Sequence, residues 1–177
     1  MRKIVLGLAV SLDGFIEGPQ GEYDWCFTDQ DYGLSAFFSR IDTVFMGRKS
    51  YELAQKLGDA AAIPGMPRVT EYIFSDTLTT VKPGAILVRK PESVQKVKEI
   101  KASEGRDIWL YGGADLTSFL LQEGLVDELW LSVHPLLLGS GRPLFSGIKN
   151  RIGLTLKETK TYETGLVSLT YNLGSTV

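Results

Sequence analysis

The amino-acid sequence predicts a three-layer α/β/α fold with a mostly parallel central sheet and a C-terminal antiparallel hairpin. Short apolar runs alternate with helical patterns along most of the chain, which is typical of parallel strands joined by crossover helices. The last two strand patterns, residues 154–162 and 166–173, alternate apolar and polar residues around a short turn, as in a β-hairpin. No linker, repeat or low-complexity segment interrupts the 177 residues, so we expect one domain over residues 1–177.

Composition narrows the classes of function. The chain is 44% hydrophobic and 23% charged with a formal net charge of −2, so its bulk charge does not favour a nucleic acid or an anionic membrane as partner. Cys26 and His134 are its only cysteine and histidine, which excludes an intrachain disulfide and disfavours a zinc site. No apolar stretch is long enough to span a membrane. We therefore expect a cytoplasmic protein with a small-molecule substrate and no bound metal.

Six apolar runs predict the strands that precede the hairpin. In chain order they occupy residues 4–10, 43–46, 68–74, 85–88, 108–111 and 126–133. The first run is nearly continuous in apolar residues, which is typical of a central strand covered on both faces. Stretches rich in glycine, proline and polar residues predict long loops at residues 11–21, 58–67 and 136–145.

Helical patterns alternate with these strands. They occupy residues 34–41, 51–57, 91–102 and 114–123. The first presents an apolar face, formed by Leu34, Phe37, Phe38 and Ile41. Either Asp29 or Asp31 is placed to cap it. Pro91 suits the first turn of the third helix, and Gly124 is a typical stop for the fourth.

Polar or glycine features follow five of the predicted strands. They are Asp13, residues 47–50, Ser75 with Asp76, Gly112 with Gly113, and His134 with Pro135. The carboxyl ends of parallel strands meet at one edge of a sheet, where ligands of such folds bind. At Gly47 and Gly113 a strand turns through glycine into a helix, which offers free backbone N–H groups to an anion. One such junction is also typical of a tight turn with nothing bound, whereas two on one edge predict an extended ligand such as a dinucleotide.

Four motifs in this order carry a family resemblance. They are Ser11-Leu-Asp-Gly14, Val44-Phe-Met-Gly-Arg-Lys-Ser-Tyr-Glu52, Ile108-Trp-Leu-Tyr-Gly-Gly-Ala114, and Val126-Asp-Glu-Leu129 followed by Pro135-Leu-Leu-Leu-Gly-Ser-Gly-Arg-Pro-Leu-Phe145. Together they resemble the dihydrofolate-reductase-like superfamily, and most closely its RibD C-terminal domain branch, the reductase part of the riboflavin-biosynthesis deaminase–reductase. The resemblance covers nearly the whole chain and implies a homodimer that uses NADPH as hydride donor. The last motif favours the RibD-like branch over true dihydrofolate reductase.

By motif match, the resemblance also implies which residues contact the cofactor. They are Gly47, Arg48, Lys49, Ser50, Ser75, Tyr111, Gly112, Gly113 and Ala114. Arg48 is the candidate for binding the 2′-phosphate of NADPH. Asp76 stands where folate reductases tend to carry a basic residue, and a carboxylate repels a 2′-phosphate. NADH is therefore not excluded as the donor.

Two aspartates compete for the role of proton donor. Hydride transfer to a C=N or C=O group leaves a negative nitrogen or oxygen, which takes a proton from a side chain or from ordered water. Asp13 is favoured because it belongs to the Ser-Leu-Asp-Gly motif at a strand end. Asp31 is second, at the position that corresponds by gapless counting to the carboxylate of true folate reductases. Each also suits a structural role, Asp13 in a turn and Asp31 as a helix cap.

The resulting hypothesis is an NAD(P)H-dependent reductase of a pterin- or pyrimidine-like substrate, similar to the uracil reductase of riboflavin biosynthesis. Trp25, His134 and Arg142 are the candidate substrate-binding residues, as a cleft wall, a substrate contact and a phosphate partner. His134 also suits a structural role before Pro135, and Arg142 suits a solvated loop. The alternatives are a true dihydrofolate reductase, which requires Asp31, and a nucleotide-binding protein without catalysis.

Overall fold

The computed structural model describes residues 1–58 and 63–176. Its strands are β1 (Ile4–Ser11), β2 (Phe15–Glu17), β3 (Ile41–Gly47), β4 (Thr70–Phe74), β5 (Ile86–Val88), β6 (Asp107–Gly112), β7 (Glu128–His134), β8 (Arg142–Pro143), β9 (Ile152–Thr161) and β10 (Val167–Thr176). Its helices are α1 (Leu34–Ser39), α2 (Arg48–Leu57), α3 (Ser93–Ala102) and α4 (Ala114–Gln122), and a 3₁₀ turn (Lys90–Glu92) precedes α3. Residues 59–62 of the predicted second loop lie outside the described residues.

Eight strands form one sheet in the order β5-β4-β3-β6-β1-β7-β10-β9. Every pairing from β5 to β7 is parallel. Strand β10 runs antiparallel to both β7 and β9. The predicted fold, a mostly parallel sheet that ends in an antiparallel hairpin, is therefore confirmed. Strand β1 lies between β6 and β7 near the middle of the sheet, as its continuous apolar sequence indicates.

Two apolar clusters lie on opposite faces of the sheet. Successive residues of β1 alternate between them, because neighbouring side chains of a strand point to opposite faces. Ile4 and Leu6 belong to one cluster and Val5 to the other, and all three are fully buried. Helices α3 and α4 contribute to the first cluster, and α1 and α2 contribute to the second. These contacts build the three layers.

The structure corrects several predicted boundaries. Helix α1 ends at Ser39, and Ile41, expected on its apolar face, instead begins β3. Helix α2 begins at Arg48, directly after the last residue of β3. The 3₁₀ turn replaces the expected first turn of α3. None of the helices in the described ranges is long and apolar enough to cross a membrane.

Strands β2 and β8 lie in segments predicted to be loops, and they pair antiparallel. The two segments approach so closely that a Cβ atom at Gly141 would lie 2.1 Å from the backbone oxygen of Glu17. Leu144 also donates a backbone hydrogen bond to Gly14, and Leu12 donates one to Leu136. The segments that follow β1 and β7 are thus joined to each other by backbone hydrogen bonds at the carboxyl edge of the sheet.

Candidate active site

A groove of about 480 Å³ lies at the carboxyl edge of the parallel strands. Residues from α2, α4, the segment after β4, the turn before α3, and strands β2 and β8 form its walls. They are Ile16, Glu17, Gly47, Arg48, Lys49, Ser50, Leu53, Phe74, Ser75, Asp76, Thr77, Lys90, Ser93, Gly113, Asp115, Leu116, Phe119 and Arg142. Its size suits a small organic ligand.

The two predicted glycine junctions face each other in this groove. A Cβ atom on Gly113 would lie 3.5 Å from Cα of Gly47 and 3.6 Å from Oγ of Ser50. The backbone φ angles of Gly112 and Gly113 are 134° and 96°, which side-chain-bearing residues rarely adopt. No side chain caps the N-terminus of α2 or of α4. Two sets of backbone N–H groups therefore converge on one region, as an anionic ligand requires.

Two arginines that line the groove, Arg48 and Arg142, are paired with carboxylates. The Arg48 guanidinium donates to both carboxylate oxygens of Glu52, at 3.0 and 2.9 Å. At the far end, Arg142 lies 3.2 Å from a carboxylate oxygen of Asp115 and 4.0 Å from one of Glu17. These pairs are partly exposed, and such pairs contribute little to stability. Both arginines can therefore exchange a carboxylate partner for a ligand phosphate at low cost.

The segment after β4 closes the other end of the groove. Ser75 Oγ accepts hydrogen bonds from the backbone N–H groups of Thr77 and Leu78, at 3.2 and 3.0 Å. Asp76 Oδ1 accepts one from the backbone N–H of Lys90, at 2.8 Å. Lys90 was missing from the predicted site. It follows a predicted strand at the same edge, and extending the strand-end rule to β5 would have found it.

Most of the predicted cofactor-binding residues come together here. Those that line the groove are Gly47, Arg48, Lys49, Ser50, Ser75 and Gly113, together with Arg142 from the predicted substrate set. Tyr111, Gly112 and Ala114 belong to the same β6–α4 junction but do not line the groove, and Ala114 is buried. Asp13, Asp31, Trp25 and His134 also lie outside its walls.

The side chain of Asp13 joins the segment that follows β1 to the segment that follows β7. Its carboxylate accepts hydrogen bonds from Ser11 Oγ at 2.6 Å, from Leu138 N at 3.1 Å and from Gly139 N at 2.7 Å. The hydrogen bond from Ser11, followed by those from the backbone, lowers the pKa of Asp13 below its ordinary value. An ionised carboxylate with these donors is suited to holding loops together, and it is poorly suited to donating a proton near neutral pH.

Asp31 lies at the start of α1. It accepts hydrogen bonds from the Ser35 backbone N–H and hydroxyl, at 2.9 and 2.6 Å, and from Gly33 N at 3.1 Å. The bonds from Ser35 lower the pKa of Asp31. Asp29, the other candidate cap, accepts a hydrogen bond from the Tyr32 hydroxyl instead. Gly33 is the N-cap residue of α1, and Asp31, two residues before it, satisfies the backbone N–H of Ser35 in the first helical turn.

An aromatic cluster covers the carboxyl end of β7. His134 is buried, its Nε2 accepts a hydrogen bond from Phe27 N at 3.1 Å, and its Nδ1 lies 3.0 Å from the carbonyl oxygen of Ser132. Burial lowers the pKa of His134, so the neutral ring donates through Nδ1. The Trp25 ring lies edge-on to His134 with centroids 5.2 Å apart. The buried Nε1 of Trp25 has no hydrogen-bond partner among the described residues.

The segment that contains Trp25 also lies near the end of β6. Tyr111 packs edge-on against Trp109, and burial raises the pKa of its hydroxyl, helped by the nearby Tyr23 and Cys26. Burial also raises the pKa of Cys26 to about 11. The side chains of Tyr111 and Cys26 are therefore uncharged at neutral pH. An uncharged aromatic surface at the carboxyl edge of the sheet suits a flat heteroaromatic ring.

The fold and the groove together define the dihydrofolate-reductase-like class of proteins. Dihydrofolate reductase from Enterococcus faecalis, in complex with NADP(H) and RAB-propyl, superposes with a TM-score of 0.68 at 14% identity, covering 98% of this chain and 97% of that one. The match to the RibD C-terminal domain model spans residues 2–168, and the chain belongs to this family of NAD(P)H-dependent reductases.

Relatives of known sequence or structure are similar over the full chain. YyaP of Bacillus subtilis (strain 168), an uncharacterized protein, is 41% identical over 97% of this chain and 95% of its own. A putative riboflavin biosynthesis protein from Shewanella sp. PV-4 has a TM-score of 0.83 at 26% identity, covering 98% and 99%. A Thermotoga maritima diaminohydroxyphosphoribosylaminopyrimidine deaminase/5-amino-6-(5-phosphoribosylamino)uracil reductase has a TM-score of 0.70 at 13% identity. That match covers 97% of this chain and 56% of the Thermotoga chain.

Proposed function

We propose that this protein is an NAD(P)H-dependent reductase of a pterin- or pyrimidine-like ring, similar to 5-amino-6-(5-phosphoribosylamino)uracil reductase. NADPH is the leading donor, as the resemblance implies. The observation that carries the proposal is the pair of uncapped helix N-termini that face each other through Gly47 and Gly113 across the groove. The family membership and the NADP(H) bound to the Enterococcus neighbour support it.

The residues present fit a dinucleotide. Helices α2 and α4 point their N-termini at the middle of the groove, so a pyrophosphate belongs there. Glycine at positions 47 and 113 lets the backbone approach that group without a side chain between them. Lys49 and Arg142 add positive charge on opposite sides. When bound, the reduced nicotinamide supplies a hydride to the substrate.

The substrate ring in this proposal lies near the aromatic cluster at the ends of β6 and β7. Trp25 and Tyr111 offer ring surfaces, and the Trp25 indole offers an N–H donor that has no partner among the described residues. Hydride addition to a C=N or C=O carbon leaves an anionic nitrogen or oxygen, which takes up a proton. Because Asp13 and Asp31 are ionised and occupied by hydrogen bonds, this proton comes from water.

The geometry favours this function over true dihydrofolate reductase. That alternative requires Asp31 in the substrate site, but Asp31 accepts its hydrogen bonds from the first turn of α1 and lies outside the groove. The third hypothesis, a nucleotide-binding protein without catalysis, differs from the proposal only in turnover. The expected homodimer stays a prediction. The edge strand β9 leaves Leu154 and Leu156 exposed on one face, where a second copy can pack.

The deciding experiment is a titration with NADPH, followed by fluorescence and by calorimetry, on the native chain and on Gly113→Ala. The native chain should bind saturably. The variant should bind much more weakly, because its Cβ atom enters the junction and its φ angle is strained. Gly124→Ala is the matched control, since Gly124 also has a positive φ angle, of 64°, but lies outside the groove. It should lose stability while keeping its NADPH affinity.

Turnover then separates a reductase from a passive binder. NADPH oxidation is followed at the nicotinamide absorbance with a panel of aminopyrimidines and pterins. Consumption that depends on one of these rings supports the proposal, and binding without consumption across the panel favours the non-catalytic alternative. Absence of saturable NADPH or NADH binding by the native chain would contradict the proposal itself.

A further inference from the structure

The end of the groove beyond Ser75 is formed by the segments that follow β4 and β5. Strands β4 and β5 lie at the edge of the sheet, whereas β6, β1 and β7 lie towards its middle. The pyrophosphate region between α2 and α4 separates these two sides. In the proposed function the nicotinamide faces the aromatic cluster at the ends of β6 and β7, which directs the adenosine of the dinucleotide towards the end of β4, where Asp76 lies.

Asp76 is held in place with one carboxylate oxygen available to a ligand. Its Oδ1 accepts the hydrogen bond from Lys90 N at 2.8 Å, and its side chain lines the groove. A carboxylate at a strand end accepts well from a ribose 2′-hydroxyl, as acidic residues do in NAD-binding folds. The same carboxylate repels a 2′-phosphate, which carries up to two negative charges.

Two of the arginines that could offset this repulsion are already engaged. The Arg48 guanidinium lies on both carboxylate oxygens of Glu52, and Arg89 donates to the carbonyl oxygen of Ser75 at 2.9 Å. Because the Arg48–Glu52 pair is partly exposed, a 2′-phosphate can draw Arg48 away from Glu52 at low cost, and Arg48 then offsets part of the repulsion from Asp76. Lys90 also lines the groove, and its ammonium group attracts a phosphate, so it acts against the repulsion from Asp76. The carboxylate of Asp76 is the groove feature that separates the two cofactors.

We propose that Asp76 sets the choice between NADH and NADPH by favouring the free 2′-hydroxyl of NADH and disfavouring the 2′-phosphate of NADPH. This inference rests on the proposed function, because it needs a nicotinamide dinucleotide in the groove. It assigns to Asp76 a role in selectivity and none in the chemistry. The readout is the ratio of the NADPH and NADH affinities, and neither affinity alone tests it.

The test compares Asp76→Asn with the native chain by calorimetric titration of NADPH and NADH at low ionic strength. Asparagine keeps an oxygen for the Lys90 N–H and removes only the charge. The affinity ratio should shift about three- to tenfold towards NADPH, and the shift should shrink as salt is added. Glu52→Gln is the second variant. It frees Arg48 and should move the ratio in the same direction.

Asp115→Asn is the matched control for charge. Asp115 lines the same groove at its other end, beside Arg142, so its neutralisation should change both affinities alike. An unchanged ratio in Asp76→Asn, or an equal gain for both cofactors, would overturn the inference and leave the proposed function standing. A native chain that binds neither cofactor would overturn both.

Discussion

Asp13 was predicted to be the proton donor, but its contacts favour a role in holding two segments together. Its carboxylate links the segment after β1 to the segment after β7 through Ser11, Leu138 and Gly139. Sequence alone could place Asp13 at a strand end, but a loop 125 residues away supplies two of its donors. Whether it also takes part in catalysis stays a prediction, and the lowered pKa argues for a positioning role.

Asp13→Asn should weaken the acid dependence of stability. Because the folded-state pKa of Asp13 is lowered from 3.8, its carboxylate contributes stability that is fully present above that pH and is lost as the pH falls through the folded value. The variant should melt at a lower temperature at pH 7 and show a flatter acid slope below pH 3.8, measured by circular dichroism. Glu163→Gln in the exposed hairpin turn is the control. An acid slope equal to that of the native chain would contradict the role of Asp13 in holding the two segments together.

His134 offers a direct pH measurement because it is the only histidine in the chain. Burial lowers its folded pKa from 6.5, so the unfolded state takes up a proton first as the pH falls. Its contribution to stability is therefore present above pH 6.5 and declines below it, until the folded ring is protonated. Nuclear magnetic resonance of the single imidazole should give a pKa below that of the same residue in urea. Equal values in the two states would contradict the buried neutral ring.

At the scale of elements, aromatic packing explains a glycine inside β1. A Cβ atom on Gly7 would lie 3.1 Å from both the Phe37 and Trp130 rings and 3.2 Å from Trp109 Nε1. Trp109 Nε1 also donates to the Gly7 carbonyl at 2.8 Å. Glycine normally weakens a strand, so its presence here reflects the space taken by rings from α1, β6 and β7.

Gly7→Ala should therefore destabilise the fold by about 1–3 kcal/mol, because the added methyl group overpacks the rings. Urea unfolding, followed by tryptophan fluorescence, measures the change. Gly174→Ala is the matched control in strand β10, where the nearest atom to a Cβ would be the Gly153 oxygen at an ordinary 3.4 Å. The control should change stability by less than about 0.5 kcal/mol. Equal losses in both variants would show that backbone effects dominate over ring packing.

Element order was predictable, whereas the smallest elements were not. Apolar periodicity located β1, β3, β4, β5, β6, β7 and the hairpin, because each buries side chains against a layer. Strands β2 and β8 have only three and two residues, too few for any period to appear. They exist because two segments far apart in sequence meet, and that meeting also brings Glu17 and Arg142 to the groove.

At the scale of the whole molecule, a buried carboxylate joins several segments at the edge of the sheet where β1 and β7 begin. Glu128 at the start of β7 is fully buried and lies 2.7 Å from Arg40, 3.0 Å from Lys157 and 3.5 Å from Lys3. Burial pushes its pKa up, but the hydrogen bonds from Arg40 and Lys157 outweigh this and lower it. The cluster ties together segments next to α1, β1, β7 and β9.

Glu128→Gln should cost about 2 kcal/mol, less than the roughly 3–5 kcal/mol typical of breaking a fully buried pair, because the three partners remain partly exposed. The lost stability belongs to the range above pH 4.5, since the ionised form is the one that is stabilised. Chemical denaturation at pH 7 and at pH 3 should therefore show a larger difference from the native chain at pH 7. Glu158→Gln, exposed on β9, is the control. A loss that is equal at both pH values would point to packing and not to charge.

The sequence by itself determined the fold class, the order of the main strands and helices along the chain, and the two glycine junctions, because periodicity and backbone freedom are local properties. Tertiary structure decided that Gly47 and Gly113 face each other, that Lys90 and Asp76 share one end of the groove, and that Asp13 and Asp31 are held by hydrogen bonds outside its walls. These facts depend on distances between segments far apart in the chain. The partners of a side chain follow from where the backbone brings it, and residue type and spacing do not contain that information.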